Sequence, residues 1–220
     1  MLPLRLAKNG NDAPLQVLCL GAHSDDIEIG CGGTVLQLAA AVPRTEFTWV
    51  VLSGAGARGE EARRSATLFV GAAARARVVV KEFRDGFFPY GGAGIKDFFE
   101  TLKCETAPDV IFTHYRGDQH QDHRLVSELT WNTFRDHLIL EYEIPKWDGD
   151  LGRPNWYVPL DDRTCGTKTR HLLDAFASQR DRQWFTAETF RALMRLRGVE
   201  CAAPEGYAEA FYAHKLSWVT

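Results

Sequence analysis

The chain has 220 residues, 45% of them hydrophobic, and its 26 Lys and Arg against 29 Asp and Glu give a formal net charge of -3 at pH 7. This length and apolar content predict one substantial hydrophobic core. The slightly acidic balance argues against nucleic acid as a partner, and no stretch approaches the roughly 20 apolar residues of a membrane span.

The cysteines and the N-terminal segment favour a cytoplasmic protein. The five cysteines are odd in number, widely spaced and contain no Cys-x-x-Cys pair, so the pattern predicts neither a disulfide framework nor a thiolate zinc site. Residues 1–13 contain no long apolar run of the kind that a secretory signal carries. We therefore expect reduced thiols and a cytoplasmic location.

Apolar and amphipathic segments alternate along the first two thirds of the chain. The pattern predicts strands at 16–21, 46–52, 76–81, 109–113 and 138–142, and helices at 33–41, 59–72, 94–104 and 122–137. Alternation of this kind indicates βαβ units. We therefore expect an α/β fold with a mostly parallel central sheet.

The pattern breaks at 143–162, a long segment rich in Pro, Gly and Trp. Irregular segments of this length are uncommon in compact domains unless they have a function, so we expect this one to contact substrate or a partner subunit in a homo-oligomer. Helical patterns follow at 165–178 and 187–197, whereas 208–218 shows no clear period. We expect one domain over residues 1–220.

Two clusters of polar residues follow predicted strands. His23, Asp25 and Asp26 come directly after the first strand, and His120-Gln-Asp-His123 follows the strand at 109–113. In open α/β sheets ligands bind beyond the carboxyl ends of the strands. If both strands lie in one parallel sheet, the two clusters meet there.

The residue types in these clusters are typical of a catalytic metal site. Two imidazoles and one carboxylate, from His23, His123 and Asp26, would hold a divalent zinc and leave one coordination position open. Zinc in such a site lowers the pKa of bound water to about 7 and polarises a carbonyl oxygen, which makes amide hydrolysis feasible. The same ligand set tolerates Fe²⁺, Co²⁺ or Mn²⁺.

Three neighbouring residues are candidates for proton transfer and positioning. Neighbouring side chains in an extended loop point in different directions, so we expect Asp25 not to bind the metal as Asp26 does and to act as general base. His120 would share a helix face with His123 if the helix has already begun there, and would then assist the oxyanion or the leaving nitrogen. Asp122 either fixes an imidazole through a hydrogen bond or caps the helix.

The residues of these motifs resemble the PIG-L (LmbE-like) family of zinc-dependent N-deacetylases. The resemblance rests on AHSDDIE at 22–28 followed by two glycines at 32–33, and on His120-x-Asp-His123. Weaker similarities are RGEEA at 58–62, Asp-Gly at 85–86 and a late Lys…Ser-Gln at 168–179, so that it covers about residues 16–180. Ser24 stands where the family commonly has proline, which makes the rigidity of this loop less assured.

The resemblance implies a Rossmann-like three-layer sandwich with zinc held at His23, Asp26 and His123. It implies removal of an acetyl group from an amino sugar resembling N-acetylglucosamine, free or conjugated to a nucleotide or another group. Asp25 matches the family's base, and His120 its oxyanion or leaving-group assistant. Among the substrate-binding residues, Arg58 and Asp85 match family positions.

Two other functions stay open on the sequence alone. One is an amidase that cleaves a non-acetyl amide of a sugar or thiol conjugate, which the size of the released acid would distinguish. The other is a metal-binding or sugar-binding module without turnover. A spare carboxylate such as Asp25 beside the ligands favours an enzyme over such a module.

Overall fold

A computed structural model describes residues 4, 6, 13–42, 44–72 and 74–217. The prediction for residues 1–13 therefore falls mostly outside the described residues. The strands are β1 Gln16–His23, β2 Glu46–Ser53, β3 Arg75–Val80, β4 Val110–His114, β5 Leu138–Tyr142, β6 Trp156–Leu160 and β7 Tyr207–Ala213. The helices are α1 Asp26–Ala41, α2 Ala57–Val70, α3 Gly92–Glu105, α4 Gln121–Thr133, α5 Asp162–Ala175 and α6 Ala187–Glu200, with short 3₁₀ turns at Phe88–Tyr90 and Ala177–Gln179.

The described strands form one seven-stranded sheet in the order β3-β2-β1-β4-β5-β7-β6. The five strands from β3 to β5 are parallel, and β7 runs antiparallel to both β5 and β6. The chain moves from β1 outward to β3 and then crosses back to β4, so the order reverses between β1 and β4. In open α/β sheets this reversal opens a crevice at the carboxyl ends of the two strands.

Apolar cores lie on both faces of the sheet. On one face Val17 and Cys19 of β1 pack with residues of α1, α2 and α5, and on the other Leu18 and Leu20 pack with residues of α3 and α4. The fold is therefore an α/β three-layer sandwich, and the predicted class is confirmed. No helix among the described residues has both the length and the apolar character that crossing a bilayer requires.

Helix α1 begins at Asp26, well before the predicted start at 33. Its first turns are buried and contain glycines and acidic residues, so they show no helical apolar stripe. Its backbone is non-helical at Cys31, with φ -138° and ψ 15°. At Gly30 a Cβ atom would lie 2.2 Å from Cδ2 of Tyr142, so glycine lets this helix approach β5.

Glu209 and Lys168 hold α1 at its irregular turn. The Gly33 amide and the Ile29 carbonyl pair with each other in a regular helix. Here Gly33 N donates to Glu209 Oε1 at 2.7 Å, and Lys168 Nζ donates to the Ile29 carbonyl at 2.6 Å. Lys168 and Glu209 also form a buried ion pair of 2.6 Å. This pair fixes the helix whose first residue is Asp26.

The strands β6 and β7 were not predicted. β6 lies inside the segment 143–162, and β7 lies where the sequence shows no clear period. Six of the seven residues of β7 are buried, and helices α1 and α6 pack against the strand. A strand buried on both faces lacks the polar alternation that marks a half-buried strand, so its pattern does not identify it.

We expect Gly30→Ala to lower the free energy of unfolding by about 1–3 kcal/mol, because the added methyl group collides with the Tyr142 ring. Gly166→Ala is the matched control in α5, since no atom lies within 4 Å of its added Cβ, and it should stabilise the protein by up to about 1 kcal/mol. Chemical denaturation measures both. Equal stability of Gly30→Ala and the unmodified protein would contradict the close contact between Gly30 and the Tyr142 ring.

Candidate metal centre

The predicted site residues converge at the crevice between β1 and β4. His23 is the last residue of β1, and Asp26 is the first residue of α1. His123 lies in the first turn of α4, which follows β4. Since β1 and β4 are neighbouring parallel strands, their carboxyl ends bring residues about a hundred positions apart to one point.

Three side chains offer ligand atoms to a common centre. His23 Nδ1 lies 3.1 Å from His123 Nε2 and 3.3 Å from Asp26 Oδ2, and His123 Nε2 lies 3.5 Å from Asp26 Oδ1. Ligands bound tetrahedrally to one zinc ion at its usual bond lengths are about 3.3 Å apart. The two imidazole nitrogens thus lie at this spacing from each other, and each lies at this spacing from a different oxygen of Asp26, so these donors could hold one divalent cation.

The electrostatics of this cluster favour positive charge. Burial alone would raise the pKa of Asp26, but the imidazoles of His123, His114 and His23 hold it well below its usual range. Burial opposes charge on His23, yet Asp26 and then Asp122 raise the pKa of His23 well above its usual value. These carboxylates stabilise positive charge at the His23 ring, Asp26 on its Nδ1 side and Asp122 on its Nε2 side.

Asp25 lies at the start of α1 beside this cluster and is 4% exposed. Burial, with the neighbouring Asp26 carboxylate second, raises the pKa of Asp25 to about 6, and Arg58 opposes the shift. The Arg58 guanidinium lies 3.6 Å from Asp25 Oδ1. Asp25 is therefore a buried carboxylate paired with Arg58 beside the three ligand candidates.

His120 precedes helix α4, so the shared helix face that we considered for it is wrong. The helix begins at Gln121, and His120 is its N-cap with an extended backbone. Its ring centroid nevertheless lies 4.6 Å from that of His123 and 5.0 Å from that of His23. Burial, followed by the positive charge of His123 and His23, lowers the pKa of His120. The capping turn thus brings a third imidazole to the centre.

Asp122 bridges the centre to the loop after β3. Its Oδ2 lies 3.3 Å from His23 Nε2 and accepts a hydrogen bond of 2.7 Å from Gly86 N, while its Oδ1 accepts one of 3.1 Å from Phe88 N. Of the two roles considered for Asp122, these contacts correspond to orienting an imidazole. The same side chain fixes the position of the loop.

That loop also brings Asp85 to the crevice, where it meets Arg58 from the first turn of α2. Asp85 Oδ1 lies 3.1 Å from His23 Nε2, and its Oδ2 lies 3.2 Å from Arg58 Nη1. The hydrogen bond with His23 lowers the pKa of Asp85 to about 2. The side chain of Asp85 is 52% exposed and that of Arg58 is 28% exposed, so both face the solvent-accessible side of the centre.

Two residues at the centre were not identified from the sequence. The ring of His114 stacks on that of His123 with 3.9 Å between the centroids, and its Nε2 lies 3.1 Å from Asp26 Oδ2. Asp118 Oδ2 lies 2.9 Å from His123 Nδ1. His114 could have been recognised as a site residue because it ends β4, at the edge where the other site residues lie. Asp118 could have been recognised because it lies only two residues before His120.

We expect Asp122→Ala to loosen the loop, because Gly86 N and Phe88 N lose their acceptor. Hydrogen exchange at these two amides should accelerate, and affinity for a divalent metal should fall by about 10–100-fold as His23 loses its partner. Asp136→Ala, at a side chain 91% exposed, should change neither. Unaltered hydrogen exchange at Gly86 N and Phe88 N in Asp122→Ala would contradict the role of Asp122 in holding the loop.

A known family matches the part of the chain that contains these residues. The family model described as PIG-L, GlcNAc-PI de-N-acetylase, matches residues 18–134, which contain both histidine motifs and the loop with Asp85.

Several solved structures share the fold. N,N'-diacetylchitobiose deacetylase from Pyrococcus horikoshii is 21% identical, with a TM-score of 0.72 over 90% of this chain and 83% of that one. The conserved protein TT1542 from Thermus thermophilus is 19% identical, with a TM-score of 0.73 over 93% of this chain and 97% of that one.

A third similar structure has a different chemistry. The 4-carboxy-2-hydroxymuconate hydratase GalB from Pseudomonas putida is 16% identical, with a TM-score of 0.66 over 94% of this chain and 98% of that one. At these identities the likeness shows the fold and not the reaction. The family match, which spans more than half of the 220 residues, goes further: the chain belongs to the PIG-L (GlcNAc-PI de-N-acetylase) family.

Proposed function

We propose that this protein is a metal-dependent N-deacetylase that hydrolyses the acetamido group of an amino sugar resembling N-acetylglucosamine. The reaction consumes one water, breaks the amide C–N bond and releases acetate and a free amine. The observation that carries the proposal is the spacing of 3.1–3.5 Å among the ligand atoms of His23, Asp26 and His123. Family membership and the deacetylase among the similar structures support it.

His23, Asp26 and His123 would hold the metal. Two neutral imidazoles and one carboxylate leave a divalent ion with residual positive charge and room for a further ligand. Such an ion supplies a Lewis acid for the amide carbonyl and lowers the pKa of coordinated water towards 7. Zinc is the metal that we propose, and Fe²⁺, Co²⁺ and Mn²⁺ remain compatible with this donor set.

Asp25 is the proposed general base. Its carboxylate is buried beside the ligands and is oriented by Arg58, so it would accept a proton from the attacking water and later deliver it to the departing amine. His120 would donate a hydrogen bond to the developing oxyanion or protonate the leaving nitrogen. Asp122 orients His23 for this chemistry.

Arg58 and Asp85 are the proposed substrate-binding residues. They pair with each other at the exposed side of the crevice, where a guanidinium and a carboxylate would donate to and accept from sugar hydroxyl groups. A polar pair at this edge fits a hydroxylated substrate better than an apolar one. The sugar's conjugate, if it has one, would extend outward from this edge.

We further propose that residues 1–220 form a single LmbE-like domain and that the protein is cytoplasmic. Assembly into a homo-oligomer also stays a prediction.

We expect Asp25→Asn to lower kcat by about 10²–10⁴-fold, because the amide cannot accept the proton that a positioned general base removes. Metal content should remain that of the unmodified protein, since Asp25 is not among the three ligand candidates. Amine release from N-acetylglucosamine and N,N'-diacetylchitobiose, with metal analysis of the same samples, measures both. Full activity of Asp25→Asn would refute the base.

The identity of the released acid separates the deacetylase from the amidase alternative. We expect stoichiometric acetate and amine from N-acetylated amino sugars, and no faster release of a larger acid from the corresponding N-acyl sugars. A protein that binds metal, contains Asp25 and still hydrolyses none of these amides would instead favour the binding-module alternative.

A further inference from the structure

The start of the segment 143–162 folds against the metal centre. Lys146 Nζ lies 3.0 Å from Asp118 Oδ2 and 2.5 Å from Asp150 Oδ2, and the Lys146 side chain is 7% exposed. We propose that Lys146 is a positioning residue of the metal centre, which acts through Asp118 to hold His123 in its ligating orientation. This inference rests on the metal site of the proposed function.

Asp118 contacts the imidazole of His123 and also holds the backbone of the turn that caps α4. Its Oδ2 lies 2.9 Å from His123 Nδ1, and its Oδ1 accepts a hydrogen bond of 2.8 Å from His120 N. A proton on His123 Nδ1, donated to this carboxylate, leaves the lone pair of Nε2 directed towards His23 and Asp26. Carboxylates behind ligating histidines fix the ring tautomer and orientation in this way.

Lys146 is the cation that makes this buried arrangement stable. The side chains of Asp118 and Asp150 are 3% and 7% exposed, and a buried carboxylate without a countercharge is strongly destabilising. Asp150 Oδ2 also accepts a hydrogen bond of 2.7 Å from Gln119 N. Lys146 therefore joins the segment to the turn that contains Asp118 and Gln119.

The same segment is fixed to the body of the protein on either side of Lys146. Glu143 pairs with Arg197 at 2.8 Å and accepts hydrogen bonds from Gly152 N at 2.9 Å and from Tyr212 Oη at 2.7 Å. Lys146 thus projects from a support that does not depend on the crevice. Bracing of His123 is a function for this segment that differs from the substrate or subunit contact suggested by the sequence.

The test compares Lys146→Met with Lys96→Met, which removes the same charge from a surface pair with Glu100. Competition with a chelator measures the affinity of each purified protein for Zn²⁺ and Co²⁺, and thermal unfolding of the metal-free proteins monitors the fold. We expect Lys146→Met to bind both metals about 10–100-fold more weakly, and Lys96→Met to stay within about twofold of the unmodified protein. The absorption spectrum of the Co²⁺ form should change only in Lys146→Met.

Two further variants keep the test decisive. Lys146→Arg retains the charge and should recover part of the lost affinity, whereas Asp118→Asn retains the shape but weakens the contact with His123 and should lose affinity by a similar factor. Unchanged metal affinity in either Lys146→Met or Asp118→Asn overturns the inference. If the unmodified protein binds no divalent metal, the proposed function fails instead.

Discussion

The site depends on His23, whose two ring nitrogens face different groups on opposite sides of the ring. Nδ1 meets His123 and Asp26 at ligand spacing, while Nε2 meets the carboxylates of Asp122 and Asp85. An imidazole that binds a metal through one nitrogen is held in place by an acceptor at the other. Rotation of this one ring would disturb both the ligand set and the loop after β3.

The sheet and the ion pair behind α1 make this arrangement possible. The crossover from β3 to β4 places the two histidine motifs on adjacent parallel strands. The Lys168–Glu209 pair satisfies backbone groups at the irregular turn of α1, so the helix can deviate from regular geometry while Asp26 stays fixed at its start. Buried charges thus support both the α1 side and the α4 side of the crevice, through the pairs Lys168–Glu209 and Lys146–Asp118.

The sequence predicted the fold best where the spacing of apolar residues shows which face of a strand or helix is buried. It predicted the alternating strands and helices up to β5, and hence that His23 and His123 share one edge of a sheet. It failed at the first turns of α1 and at β7, where both faces are buried and no alternation remains. It also missed His114 and Lys146, because their contacts join segments whose spatial relation no local pattern encodes.

Crystallography of the metal-loaded protein, with anomalous diffraction recorded at the zinc edge, tests the central claim most directly. The account predicts one strong peak at about 2.0–2.2 Å from His23 Nδ1, His123 Nε2 and an Asp26 carboxylate oxygen. A peak on the other side of the ring, among His23 Nε2, Asp85 and Asp122, would contradict it, as would two imidazoles too far apart to share one ion.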